Sequence, residues 1–425
     1  MSKLHKITSE ISQRLIGIGT LTILLLMPFH AFMSIYIAYL GANRTIVQSW
    51  KEVLILTMGF LWLIYQASKK SLAFKLDSTN ILFGLIIIFT LLITFFVRPN
   101  SEALLLGVKT NLVAIALYFI AQTPLAKQSI LKTKLFWIVV APAMVVSLLA
   151  VMQSFFISPD FLSNFGYNSD TINPRQIIDG SINFLRSFST LGGPNQLGSY
   201  LVVPLVFVLV YGIRRKQWWL LACGLPIAAG IVLSFSRSAW IGAIIGVLVA
   251  IFAAIDKKWR LYFAIASSIF ICLVSVLVVT QINSNTAIEN VLLHGRYFEN
   301  RIEGSDKGRL ESLVVTSTEI INSPFGHGLG SAGPSSFKAD DPVIPENWYL
   351  QIAYEIGLPG LLLYILAFAS LTRDFVRSKS DLLAISLLAA TLGILVMNLF
   401  LQTWADSTLV LMMFALYGIF KANNK

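Results

Sequence analysis

The sequence predicts an all-α integral membrane protein of about twelve transmembrane helices, and three observations carry that reading. First, 56% of the 425 residues are hydrophobic and only 12% are charged, where a soluble domain carries about 25% charged residues. Second, the apolar runs last about 17 to 25 residues without the alternation of a barrel strand, which is the length a helix needs to cross the hydrocarbon core. Third, basic residues recur at every second connection, in clusters such as Lys127, Lys132 and Lys134, then Arg214, Arg215 and Lys216. Cytoplasmic connections carry such an excess, so both termini are expected in the cytoplasm of a multi-pass cell-membrane protein. The net charge of +11 is partly this excess and is not read as nucleic-acid binding.

In chain order the spans are expected at residues 15–40, 49–67, 79–97, 102–122, 135–157, 195–213, 217–234, 238–255, 260–280, 349–371, 382–402 and 404–420. The first is too long for the apolar core of a cleavable signal and reads as a span. Together they make a single membrane domain, 1–425, interrupted by two polar stretches. Residues 158–191 form a short extracytoplasmic segment. Residues 281–348 form a long extracytoplasmic loop between the ninth and tenth helices, carrying part of the site. Within that loop, residues 308–323 place Leu310, Leu313, Val314, Ile320 and Ile321 at three- to four-residue spacing, which predicts an amphipathic helix. Cys223 and Cys272 lie in apolar runs and argue for neither a disulfide nor a metal cluster. No zincin, P-loop or nucleophile-elbow motif occurs, so no cofactor and no metal are implied.

Polar chemistry concentrates on the outer side. Arg237, in the tight turn Ser234-Phe235-Ser236-Arg237, stands against the charge rule, where it either meets lipid headgroups or holds a ligand. Arg186 precedes Gly192-Gly193-Pro194-Asn195, a turn that leads into the sixth span with Asn195 as the expected N-cap; an arginine beside exposed N–H groups at a helix N-terminus suits an anion. Arg309 is expected in the first turn of the loop helix. His327 lies in the turn Gly326-His327-Gly328-Leu329-Gly330, itself a possible anion cradle, and is a candidate base. Glu346, beside Asn347 and Tyr349 at the head of the tenth span, is the sharper candidate base; its plainer role is a helix N-terminal charge. Lys109, inside the fourth span, is the one polar feature away from this face.

Taken in order, the turn 186–198, Ser236-Arg237, Gly308-Arg309, Gly326-x-Gly-x-Gly330, Glu346-Asn347-x-Tyr349-Leu350 and Glu355-Ile356-Gly357-Leu358-Pro359-Gly360 resemble the O-antigen ligase and polysaccharide polymerase superfamily. The resemblance implies a GT-C type glycosyltransferase architecture and inverting, metal-independent transfer or polymerisation of glycan. The donor would be an undecaprenyl-diphosphate-linked glycan and the acceptor a hydroxyl on a glycan or a lipid-anchored molecule. It further implies that Arg186 and Arg237 hold the diphosphate, with Arg309, Asn195, Asn347 and Tyr349 among the substrate contacts. Ligases usually place a histidine where this chain has Glu346, so ligase and polymerase both remain open. The alternative is a multispan transporter or flippase of a lipid-linked or anionic substrate, since twelve spans with cytoplasmic termini also suit a carrier.

Overall fold

The computed structural model describes residues 3–69, 74–97, 99–123, 128–178, 181–281, 305–338 and 341–424. The helices are α1 (Lys3–Leu26), α2 (His30–Tyr39), α3 (Arg44–Gln48), α4 (Trp50–Lys69), α5 (Ser78–Val97), α6 (Ser101–Gly107), α7 (Val113–Ala121) and α8 (Gln128–Phe155). They continue with α9 (Pro194–Arg215), α10 (Trp219–Leu233), α11 (Arg237–Ala254), α12 (Lys257–Gln281), α13 (Ser305–Asn322), α14 (Trp348–Arg377), α15 (Leu382–Met397) and α16 (Ser407–Asn423). Each expected span is helical over most of its length, and among the described residues eight stretches are long and apolar enough to cross a membrane. α10, α15 and α16 are shorter apolar helices.

Three local departures have physical causes. The first span is two helices, because Pro28 has no N–H to continue the ladder and the chain passes through a 3-10 turn at Met27–Phe29. In the fourth span, α6 and α7 are joined by a π-helical turn, Val108–Leu112, which sets Lys109 and Asn111 at an unusual pitch. The segment 158–191 contains an unforeseen antiparallel ribbon, β1 (Ile177–Ile178) with β2 (Ser181–Leu185). The loop helix forms as expected, α13, yet among its described side chains, those of residues 311–322, the buried positions are Thr316 and Ile320, while Val314 and Ile321 are exposed.

The helices gather into two compact units. The first comprises residues 1–142, 315–377 and 398–425. Its core holds Phe83 between Tyr118 and Phe414, with ring centroids 4.8 and 5.6 Å away, and the Tyr118 hydroxyl donates to Asn80 Oδ1 at 2.6 Å. Lys421 is neutralised by Asp77 at 2.6 Å and Asp374 at 2.8 Å, as a buried cation requires. The second unit comprises residues 143–314 and 378–397. At its centre α9 is buried on nearly every side, packed by α10, α11 and α15, which explains why its sequence is apolar all round. Gly242 and Gly246 let α11 approach α15 to backbone contact, the small-residue packing that membrane helices use in place of a hydrophobic drive.

Candidate active site

In the second unit, the turn between α10 and α11 and the segment before α9 are built around one guanidinium. Arg186 donates from Nε to the Ser234 carbonyl at 3.1 Å and from Nη2 to Asn195 Oδ1 at 2.8 Å. Three residues beyond Ser234, Arg237 opens α11, so Arg186, Asn195 and Arg237 belong to one structure. Asn195 is not the N-cap: α9 begins at Pro194, whose missing N–H costs nothing at a first helical position, and Asn195 is thereby free to serve Arg186. Gly198 makes the convergence possible, because a Cβ there would lie 2.5 Å from Ala239 Cβ and 2.9 Å from Ser234 Oγ. The N-termini of α9 and α11 are thus brought side by side. Neither carries an acidic residue in its first turn, so two positive helix ends and two arginines share one place.

The segment is held firmly from below. Gln153 Oε1 accepts from the N–H groups of Phe188 and Ser189 at 3.1 and 2.9 Å, and Ser187 N–H donates to Leu233 O at 2.9 Å. Ser189 (φ 54°) and Phe235 (φ 47°) sit in the left-handed region. A side-chain-bearing residue adopts that conformation at a cost of about 1–2 kcal/mol, and such strain concentrates at functional turns.

In the first unit, α14 is broken at Gly357 (φ 75°, ψ 174°) ahead of Pro359. Pro359 cannot donate to the Glu355 carbonyl, and Leu358 N–H turns away to Pro324 O at 2.9 Å. Two carbonyls are left without their helical donors. The glycine turn supplies replacements: His327 N–H donates to Tyr354 O and Gly328 N–H to Glu355 O, both at 2.8 Å. Gly330 N–H donates to the Glu355 carboxyl, Oε1 at 3.2 Å, which Gln351 approaches at 3.5 Å and Asn111 approaches through Oε2 at 3.4 Å. The turn that reads as a cradle for an outside anion therefore holds an internal carboxyl, and Glu355 is fully buried there. Gly330 (φ +86°) also abuts the Ala103 carbonyl where a Cβ would stand. Gly330→Ala should consequently cost about 3 kcal/mol or more, from left-handed strain plus the clash, measured as a drop in thermal stability in detergent; an unchanged melting temperature would show the turn to be dispensable.

His327 is committed to this clasp, its ring stacked on Tyr354 with centroids 4.1 Å apart and Nδ1 3.3 Å from Tyr354 O. Asn347 caps α14, with Oδ1 accepting from Tyr349 and Leu350 N–H at 2.9 and 3.1 Å, and it donates to Leu399 O at 3.0 Å. Tyr349 is half-buried in the first turn, edge-on to Trp348. Glu346 immediately precedes the cap and is half-exposed, with a left-handed φ of 48°. Arg309 lies near the start of α13, and its side chain falls outside the described residues. Glu355, Gln351 and Asn111 were not picked out as site residues; the signal was a carboxylate inside an apolar span, eight positions into α14.

Many apolar helices, with a basic turn made by two helix N-termini, define a multi-pass membrane protein suited to an anionic ligand. Residues 221–365 match the family model described as O-antigen ligase. The match supports the O-antigen ligase and polysaccharide polymerase superfamily read in the motifs, and with it glycan transfer at the level of the family. It contains Arg237, Arg309, His327, Glu346, Asn347 and Tyr349, while Arg186 and Asn195 lie before it. Comparison with curated proteins finds no match.

Proposed function

We propose that the protein transfers or polymerises glycan from an undecaprenyl-diphosphate-linked donor onto an acceptor hydroxyl at the extracytoplasmic face. The observation that carries this reading is the convergence of Arg186, Arg237 and two helix N-termini in a segment that continues into the O-antigen ligase match. A diphosphate asks for such a place: bidentate guanidinium donors and aligned N–H dipoles at the end of membrane helices, beside lipid that can take a prenyl tail. In the reaction the acceptor oxygen attacks the anomeric carbon as the bond from that carbon to the diphosphate oxygen breaks. The leaving diphosphate takes the bonding pair and is stabilised by Arg186 and Arg237. Glu346 accepts the hydroxyl proton, and attack opposite the leaving group inverts the anomeric centre. Purified protein in vesicles with the lipid-linked donor should lengthen or transfer glycan without moving the donor across the bilayer; transbilayer movement without transfer would establish the flippase instead.

The orientation is tested separately. Lys338 is exposed, with 58% of its side chain accessible, and its ion pair to Glu102 is long at 3.9 Å. Lys338→Cys should react with an impermeant thiol reagent in intact cells, and reaction only after permeabilisation would place the loop 281–348 in the cytoplasm.

A further inference from the structure

Lys109, the polar residue that the site leaves unused, stands at the mouth of a cavity of about 1010 Å³ in the first unit. Its body is lined by Ile55, Phe60, Leu63, Ile87 and Phe119, with Phe74 toward its far end. Its charged lining, Glu52 and Lys109, and the hydroxyls of Thr45 and Ser49 gather around α3, the start of α4 and the π turn, while the Trp62 indole N–H, buried and without a partner among the described residues, lies further along α4. From Glu52 to Leu63 the cavity follows α4 for about 16 Å at 1.5 Å per residue, the proportions of a slot for a chain with a polar head. That head is not a random surface charge. Lys109 Nζ lies 3.0 Å and Lys51 Nζ 3.3 Å from the same Glu52 oxygen, Oε1, and Lys51 is also 2.8 Å from His30 Nε2.

The second carboxylate oxygen, Glu52 Oε2, is buried and has no hydrogen-bond partner among the described residues. Lys109 is one-third exposed, and among the described residues its ammonium meets Glu52 alone, leaving two of its three donors over. The mouth thus offers one unsatisfied anionic acceptor and one cation with spare donors, side by side. A headgroup carrying both a phosphate and an ammonium answers both with full charges, whereas the hydroxyls of a glycerol headgroup meet Glu52 Oε2 only as neutral donors, the weaker kind of hydrogen bond.

We propose that this cavity is the seat of one glycerophospholipid with an ammonium-bearing headgroup, its phosphate on Lys109, its ammonium on Glu52 and an acyl chain along α4. Two variants separate the head from the slot. Lys109→Met removes the phosphate contact and keeps the apolar stem. Gly59→Leu extends a side chain into the slot without changing charge; its Cβ meets only Ile120 Cδ1 at 3.7 Å, an ordinary contact, and thermal unfolding checks that the variant is folded. The protein, held in a mild detergent and then mixed with phosphatidylethanolamine, phosphatidylglycerol or undecaprenyl phosphate solubilised in the same detergent, is analysed by native mass spectrometry. One bound phosphatidylethanolamine per chain is expected, retained over phosphatidylglycerol and lost in both variants. Equal retention of the two lipids, unchanged binding in Gly59→Leu and Lys109→Met, no bound lipid, or capture of a prenyl lipid in its place would each overturn the assignment.

Discussion

Arg237→Ala is expected to reduce glycan transfer by about 10²–10³-fold, the effect of removing one preorganised donor from a developing negative charge. Arg186→Ala should do the same and in addition leave the Ser234 carbonyl and Asn195 Oδ1 without their shared donor. Lysine should not rescue either position. At Arg186 the reason is visible: the planar group already donates from Nε to Ser234 and from Nη2 to Asn195 and must still face its ligand, which a single ammonium cannot reproduce. The assay is transfer from the lipid-linked donor in vesicles, with folding checked by thermal unfolding. Near-normal transfer by a folded Arg237→Ala protein would return that arginine to a lipid-headgroup role.

Glu346→Gln should lower turnover by about 10²–10⁴-fold while donor binding changes little, because the amide keeps the shape and hydrogen bonding but cannot take the proton. The strained backbone at this position makes a second variant informative. Asparagine tolerates φ near 48° better than most residues, so Glu346→Asn relieves strain while removing the base, and it too should be inactive. If Glu346→Gln transferred normally and His327→Ala did not, the proton would go to the histidine. The structure makes that second outcome demanding to interpret, since His327 is stacked on Tyr354 and its loss also loosens the clasp on α14. Comparing kcat with KM for a folded His327→Gln protein separates the two effects.

The helices were legible because lipid-crossing segments need long apolar runs, and those runs are unmistakable in a chain with 12% charge. Their interruptions were not. The 3-10 turn at Pro28 has a visible cause, but the π turn around Lys109 depends on what Asn111 and Lys109 find across the unit, namely Glu355 and Glu52. At the site, Arg186 and Arg237 could be singled out by their conflict with the charge rule, and Asn195 by its place in the turn before the sixth span. Which of them touch could not, because the sequence does not reveal that Pro194 rather than Asn195 starts α9. The glycine turn shows the same limit in a sharper form. Free N–H groups on glycines suit an anion, and only the break at Gly357 and Pro359 reveals that the anion-like partners are the helix's own carbonyls and the Glu355 carboxyl.

That exchange of hydrogen bonds has a bearing on how this chain can be recombined. The stretch 324–330 and the stretch 354–359 complete each other's backbone, so neither is a portable cassette. A chimera that imports a foreign outer loop but keeps the native tenth helix would strand two carbonyls in an apolar setting, whereas one that exchanges residues 323–360 as a block carries its own donors with it. Swaps meant to transplant acceptor preference between homologues should therefore have their junctions placed after Gly360, inside the unbroken half of the helix, and never at its apparent start.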